Sequence, residues 1–127
     1  MESLVTLCHK VLGRHAIAPA RVLGHSDVAP ARKQDPGERF DWAALARASI
    51  GLWPGDARAT SEAPNEAAFL QGLGRFGYAI DEASPREVIT AFQRHFRPAA
   101  VTGRVDAESA GRLNALLRYL DPGAAEA

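Results

Sequence analysis

The 127-residue sequence predicts an α/β fragment, one or two strands with flanking helices, followed by an all-α three-helix bundle, so that the chain is mostly helical overall. Three observations predict this. Apolar residues recur at helical spacing through most of the chain; one short β-type run, Arg21-Val22-Leu23-Gly24-His25, interrupts the first half; and the second half holds three helical runs divided by short turns. The expected division is a first unit over 1–54, a linker over 55–63, a three-helix unit over 64–121 and a tail over 122–127.

Leu4, Leu7, Cys8, Val11 and Leu12 share one helical face, and Gly13 follows as a stop, so the first dozen residues read as an amphipathic helix. After HAIAPA comes the β-type run, which leads into a polar stretch containing Pro30, Pro36 and Gly37. Asp41 is placed to cap a helix from Trp42 to about Ser49, which Gly51 and Pro54 end. Residues 55–64, GDARATSEAP, have linker composition. Phe69, Leu70, Leu73 and Phe76 then form a stripe, and Ser84-Pro85-Arg86-Glu87 is a capping box with proline at the first helical position. It opens a run carrying Val88, Ile89, Phe92 and Phe96, and Asp106 caps a last run with Ala110, Leu113, Leu116, Leu117 and Leu120. One strand alone leaves backbone donors and acceptors unpaired on both edges, so residues 1–55 are expected to be the C-terminal part of a larger α/β domain, its other strands lying before Met1 or on another chain.

Composition excludes several classes of function. Fifteen Lys plus Arg balance fifteen Asp plus Glu, spread almost evenly over the two halves, so no basic half is built to neutralise nucleic-acid phosphates. Cys8 is the single cysteine, which rules out an internal disulfide and a cysteine-type zinc knuckle. No stretch approaches the roughly 20 apolar residues of a membrane span. The start, MESLVTLCHKVLGRH, carries Glu2 and breaks its apolar run at His9, so it does not read as a signal peptide.

The densest polar cluster is Gly24-His25-Ser26-Asp27-Val28-Ala29-Pro30-Ala31-Arg32-Lys33-Gln34-Asp35-Pro36-Gly37. The imidazole of His25 and the carboxylate of Asp35, ten residues apart across a proline-stiffened loop, can converge on one divalent ion, and a nitrogen–oxygen donor mix suits zinc. The competing reading of His25 is a satisfied hydrogen-bonding residue at a strand end. A catalytic zinc site usually has three protein ligands, so a third must come from elsewhere. Lys33, two positions before Asp35, reads either as an ammonium that stabilises a developing oxyanion or as a solvated lysine paired with Asp35 or Glu38. His25, Ser26 and Asp27 hold the letters of a hydrolase triad, but neighbouring strand residues point to opposite faces, which argues against a relay. His9, His15 and His95 have no useful spacing to His25. Trp42 and Trp53 read as core or, alternatively, as stacking platforms for sugar rings, and the phenylalanines at 69, 76, 92 and 96 read as core, with Arg94, His95 and Arg97 exposed around them.

The run RVLGHSDVAPARKQDPGERFDW, followed by LARASIGLWP, resembles the C-terminal zinc-loop segment of N-acetylmuramoyl-L-alanine amidases of the type 2 amidase family. The resemblance implies that His25 and Asp35 are zinc ligands and Lys33 the catalytic lysine. It also implies hydrolysis, through zinc-activated water, of the amide between the lactyl group of N-acetylmuramic acid and L-alanine. The stretches FLQGLGRFGY, VITAFQRHFRP and TGRVDAESAGRLNALL resemble the three-helix peptidoglycan-binding domain often appended to wall hydrolases. The implied partner is peptidoglycan or a muropeptide, with no nucleic acid and no membrane span, and the implied place is the cell envelope or periplasm, with the cytoplasm as alternative. The family's first zinc histidine and its acidic partner lie upstream of the matched segment. The 127 residues alone are therefore expected to be inactive, with the missing half supplied by an upstream extension or a separate chain. The alternative is a non-catalytic peptidoglycan-binding remnant.

Overall fold

The computed structural model describes residues 2–15, 17–37, 39–54 and 65–120, without the side chains of Ala20 and His25. The expected linker over 55–63 and tail over 122–127 lie outside the described residues. Among the described residues six α-helices follow in order, α1 (Glu2–Arg14), α2 (His25–Val28), α3 (Trp42–Arg47), α4 (Glu66–Phe76), α5 (Pro85–Phe96) and α6 (Ala107–Leu120), with a 3-10 turn at Pro19–Arg21.

The predicted strand is not there, and the α/β assignment is corrected: the described residues are helical and irregular, with no strand among them. Arg21 closes the 3-10 turn, Val22–Gly24 has no regular secondary structure, and His25–Val28 is a turn of helix. The reason is physical. Val22 and Leu23 favour extended backbone only as part of a ladder, and no described segment offers one. The local polar groups settle the conformation instead: the Gly24 amide donates to Asp27 Oδ2 at 3.0 Å, and the Gly24 carbonyl accepts from the Asp27 amide at 3.1 Å. Since residues 25–27 are helical, opposite strand faces no longer bear on whether their side chains meet.

Local chemistry places the helix starts. Asp41 accepts from the Ala44 amide, Asn65 from Ala68 and Asp106 from Ser109. At α5 both arms of the capping box form: Glu87 donates its amide to Ser84 Oγ at 3.2 Å, and Ser84 donates its own to Glu87 Oε1 at 2.9 Å. Gly77, at φ 128°, ends α4.

Helices α4, α5 and α6 surround a core of Phe69, Leu73, Val88, Ile89, Phe92, Phe96, Leu113 and Leu116. Gly72 permits the close approach of α4 to α6, since a Cβ there would stand 2.9 Å from Leu113 Cδ2. Leu52, from the first half, belongs to this same core. A second cluster, Trp42, Leu45 and Ile50, is covered by Leu4, Val5, Cys8 and Leu12 of α1, and Trp53 packs against both clusters. His9 of α1 meets the Ala48 carbonyl at 2.7 Å, pinning α1 to the end of α3.

Candidate functional site

The polar stretch that the sequence singles out is a helical turn followed by a loop folded back against it. Beyond α2, the Ala29 carbonyl accepts from the amides of Arg32 and Lys33 at 3.0 and 2.9 Å. The chain then returns, and the Asp35 carbonyl accepts from the Ser26 amide at 2.8 Å. Gly24 makes this return possible, because a Cβ at that position would run into the ring of Pro36 and stand 3.3 Å from Trp42 Cζ2. The Asp35–Pro36 bond is cis.

The fold thus sets the backbone of Asp35 beside Ser26, the residue after His25. The His25 side chain lies outside the described residues, while Asp35 and Lys33 are exposed. Among the described residues no three His, Cys, Asp or Glu side chains gather as a metal-ligand group. His9 is engaged on Ala48, and His15 is exposed.

Asp27, a residue the sequence left without a role, is the polar centre of the molecule. It is 5% exposed and accepts from three directions: the Gly24 amide, the Tyr78 hydroxyl, and His95 Nδ1 at 2.7 Å. His95, expected to be exposed, is 2% exposed, and its ring is stacked between those of Trp42 and Phe96, each centroid 3.8 Å away. That correction has a simple origin. An imidazole on the core face of α5 is stable there because it finds both an aromatic slot and a carboxylate, neither of which is near it in sequence. Burial, and then the neighbouring Asp27 charge and hydrogen bond, raise the Tyr78 phenol well above its ordinary value, which keeps it a donor. Tyr78 and His95 of the second half therefore hold the turn that carries His25. Arg94, half-buried beside them, donates to Ser26 Oγ at 3.4 Å. Arg97 pairs with Asp106 and Glu108 and is not free.

The loop and α5 face each other across a cleft of about 230 Å³ whose walls include Lys33, Gln34, Thr90 and Arg94. Among the described residues no helix is long and apolar enough to cross a membrane.

The fold matches that of peptidoglycan amidases. The structure of the N-acetylmuramyl-L-alanine amidase AmiD from E. coli, in complex with the substrate anhydro-N-acetylmuramic acid-L-Ala-D-γ-Glu-L-Lys, superposes with a TM-score of 0.85 at 37% identity, over 93% of this chain and 51% of that one. AMPDH3 from Pseudomonas aeruginosa, also solved in complex with an anhydromuramic pentapeptide, gives 0.80 at 31% identity, over 96% of this chain and 53% of that one. In sequence the chain is 40% identical over 129 aligned positions to N-acetylmuramoyl-L-alanine amidase AmiD of Escherichia coli K12, covering 92% of this chain and 47% of the relative. It is 46% identical over 41 residues to 1,6-anhydro-N-acetylmuramyl-L-alanine amidase AmpD of Enterobacter cloacae, 32% of this chain and 22% of the relative. No family model matches the chain. The chain spans about half the length of the amidase structures it matches.

Proposed function

We propose that this chain is part of a zinc-dependent N-acetylmuramoyl-L-alanine amidase that cleaves the amide between the muramic lactyl group and L-alanine. The observation that carries the reading is the Ser26–Asp35 backbone closure, which sets the turn holding His25 against the loop holding Asp35, in a chain 40% identical to AmiD. An imidazole nitrogen and a carboxylate oxygen suit zinc, so His25 and Asp35 would be two of its ligands, with a third donor drawn from outside the described residues. Zinc, when bound, polarises a carbonyl and acidifies water. Lys33, on the same loop and open to the cleft, would hold its ammonium toward the oxygen on which negative charge develops. Helices α4–α6 would contact the glycan-peptide polymer.

Zinc titration of the chain tests the site. Substituting His25→Ala or Asp35→Ala is expected to lower zinc occupancy at micromolar concentration to below about a tenth of an equivalent. Wild-type chain that binds no more than those variants overturns a metal site in this chain by itself. Pelleting with insoluble peptidoglycan tests α4–α6, and retention in the pellet without zinc binding favours the non-catalytic alternative.

A further inference from the structure

The cleft between the loop and α5 has an unusual charge balance. Arg32 and Lys33 stand on the loop wall and Arg86 and Arg94 on the helix wall, against one carboxylate, Glu87. That carboxylate is already occupied by the α5 capping box, where Glu87 Oε1 accepts from the Ser84 amide. Two nearby arginines are paired: Arg97, just past α5, meets Asp106 and Glu108, and Arg112 of α6 meets Glu108. Among the described residues none of the four cations lining the cleft is in an ion pair, and Arg94 reaches only the neutral hydroxyl of Ser26.

Four like charges around one concavity repel each other and set up a positive field focused on whatever enters. A carboxylate relieves that repulsion, and a guanidinium offers it two parallel donors where an ammonium offers a point charge. We propose that Arg86 and Arg94 form a carboxylate-binding subsite for the peptide of the substrate, so that α5, in the half that resembles a wall-binding module, is one wall of the substrate cleft. This rests on the amidase reading, in which Lys33 of the facing wall meets the scissile amide. The substrate of the AmiD complex, with its γ-linked D-glutamate, shows why the chemistry fits. A γ linkage leaves the glutamyl α-carboxylate free, and the terminal lysine carries a second carboxylate.

The test is calorimetric binding of the intact chain to anhydro-N-acetylmuramoyl-L-Ala-D-γ-Glu-L-Lys and to three analogues, amidated at the glutamyl carboxylate, at the terminal carboxylate, or at both. The free acid is expected to bind about tenfold more tightly than the diamide, and the two monoamides assign which carboxylate is held. Arg86→Gln and Arg94→Gln should each weaken the free acid about three- to fivefold while leaving the diamide unchanged, with partial recovery in Arg94→Lys. Arg118→Gln, which removes the same charge from exposed α6, should change nothing. Arg86 is exposed, so its variant carries the test even where a change at half-buried Arg94 perturbs folding. Equal affinity for free acid and diamide, a preference that survives both substitutions, or no binding of either form at millimolar concentration overturns the subsite. Zinc stoichiometry on the same samples keeps the two ideas apart. Zinc bound without a carboxylate preference sinks the subsite alone, and a preference intact without zinc sinks the metal-site reading alone.

Discussion

Asp27 gathers its donors from places far apart in the chain: Gly24 beside it, Tyr78 after α4, and His95 near the end of α5. A buried carboxylate is costly unless such partners surround it, and each partner is in turn costly to remove. Tyr78→Phe keeps the ring in its core position and deletes one donor, and is expected to lower stability by about 1–2 kcal/mol in urea unfolding. The same residue sets a pH dependence whose sign is definite. Because the folded chain holds the phenol proton more tightly than the unfolded chain, Tyr78 contributes full stability below the ordinary tyrosine range near pH 10 and loses it as pH rises toward the higher folded value. Wild type should therefore lose stability between pH 9 and 11 by an extra amount that Tyr78→Phe does not, measured as the difference between their urea midpoints at the two values. A slope identical in both proteins would show that Tyr78 titrates alike in the folded and unfolded chain. None of the Asp27 network was legible in the sequence. His95 sits on an amphipathic stripe and reads as an exposed neighbour of phenylalanines; its carboxylate partner is 68 residues away, and only folding brings them together.

Helix α5 does three jobs along one length of chain. Its first turn is fixed by Ser84 and Glu87, its apolar face carries Phe92 and Phe96 into the core, and its polar positions reach both neighbouring loops. Gln93, fully buried, is the link to the segment before α6. Its Oε1 accepts from the amides of Thr102 and Gly103, each at 2.9 Å, while its Nε2 donates to the Arg104 carbonyl at 2.8 Å and to Ser109 Oγ at 3.2 Å. Gln93→Leu fills a similar space but strands the amides of Thr102 and Gly103, while the Arg104 carbonyl keeps the Thr102 hydroxyl, so a loss of about 2–4 kcal/mol is expected in thermal or urea unfolding. A loss below about 0.5 kcal/mol would mean that water replaces the amide. The helices of the second half were legible because capping residues, proline position and apolar spacing agree with one another there. The β-type run of the first half is not a strand for the opposite reason. Strand signals report a surface that another strand can cover, and in this chain the short-range bonds of Gly24 and Asp27 decide the backbone instead.

Across the whole molecule the two apolar clusters meet at Trp53, and Leu52 enters the core of the second half, so unfolding of the described units is expected to be coupled. Among the described residues Leu7, Val11, Ile17 and Leu23, between 39% and 58% exposed, line an apolar groove of about 290 Å³ along α1. Such a patch predicts binding of a hydrophobic fluorescent dye by the native chain, reduced in Leu7→Ser with Leu23→Ser. Unchanged fluorescence in that double variant would place the dye elsewhere. By itself the sequence determined the helix starts at Trp42, Pro85 and Ala107 and the core stripes of α4–α6, because those depend on residue type at short spacing, while the proposed zinc and lysine positions rest on its resemblance to type 2 amidases. Tertiary structure alone decided that Asp35 returns to Ser26, that His95 is buried on Asp27, and that arginines of α5 face Lys33. Each of these is a contact between segments far apart along the chain or a conformation set by what lies across from it, and side-chain pattern does not encode distance through space.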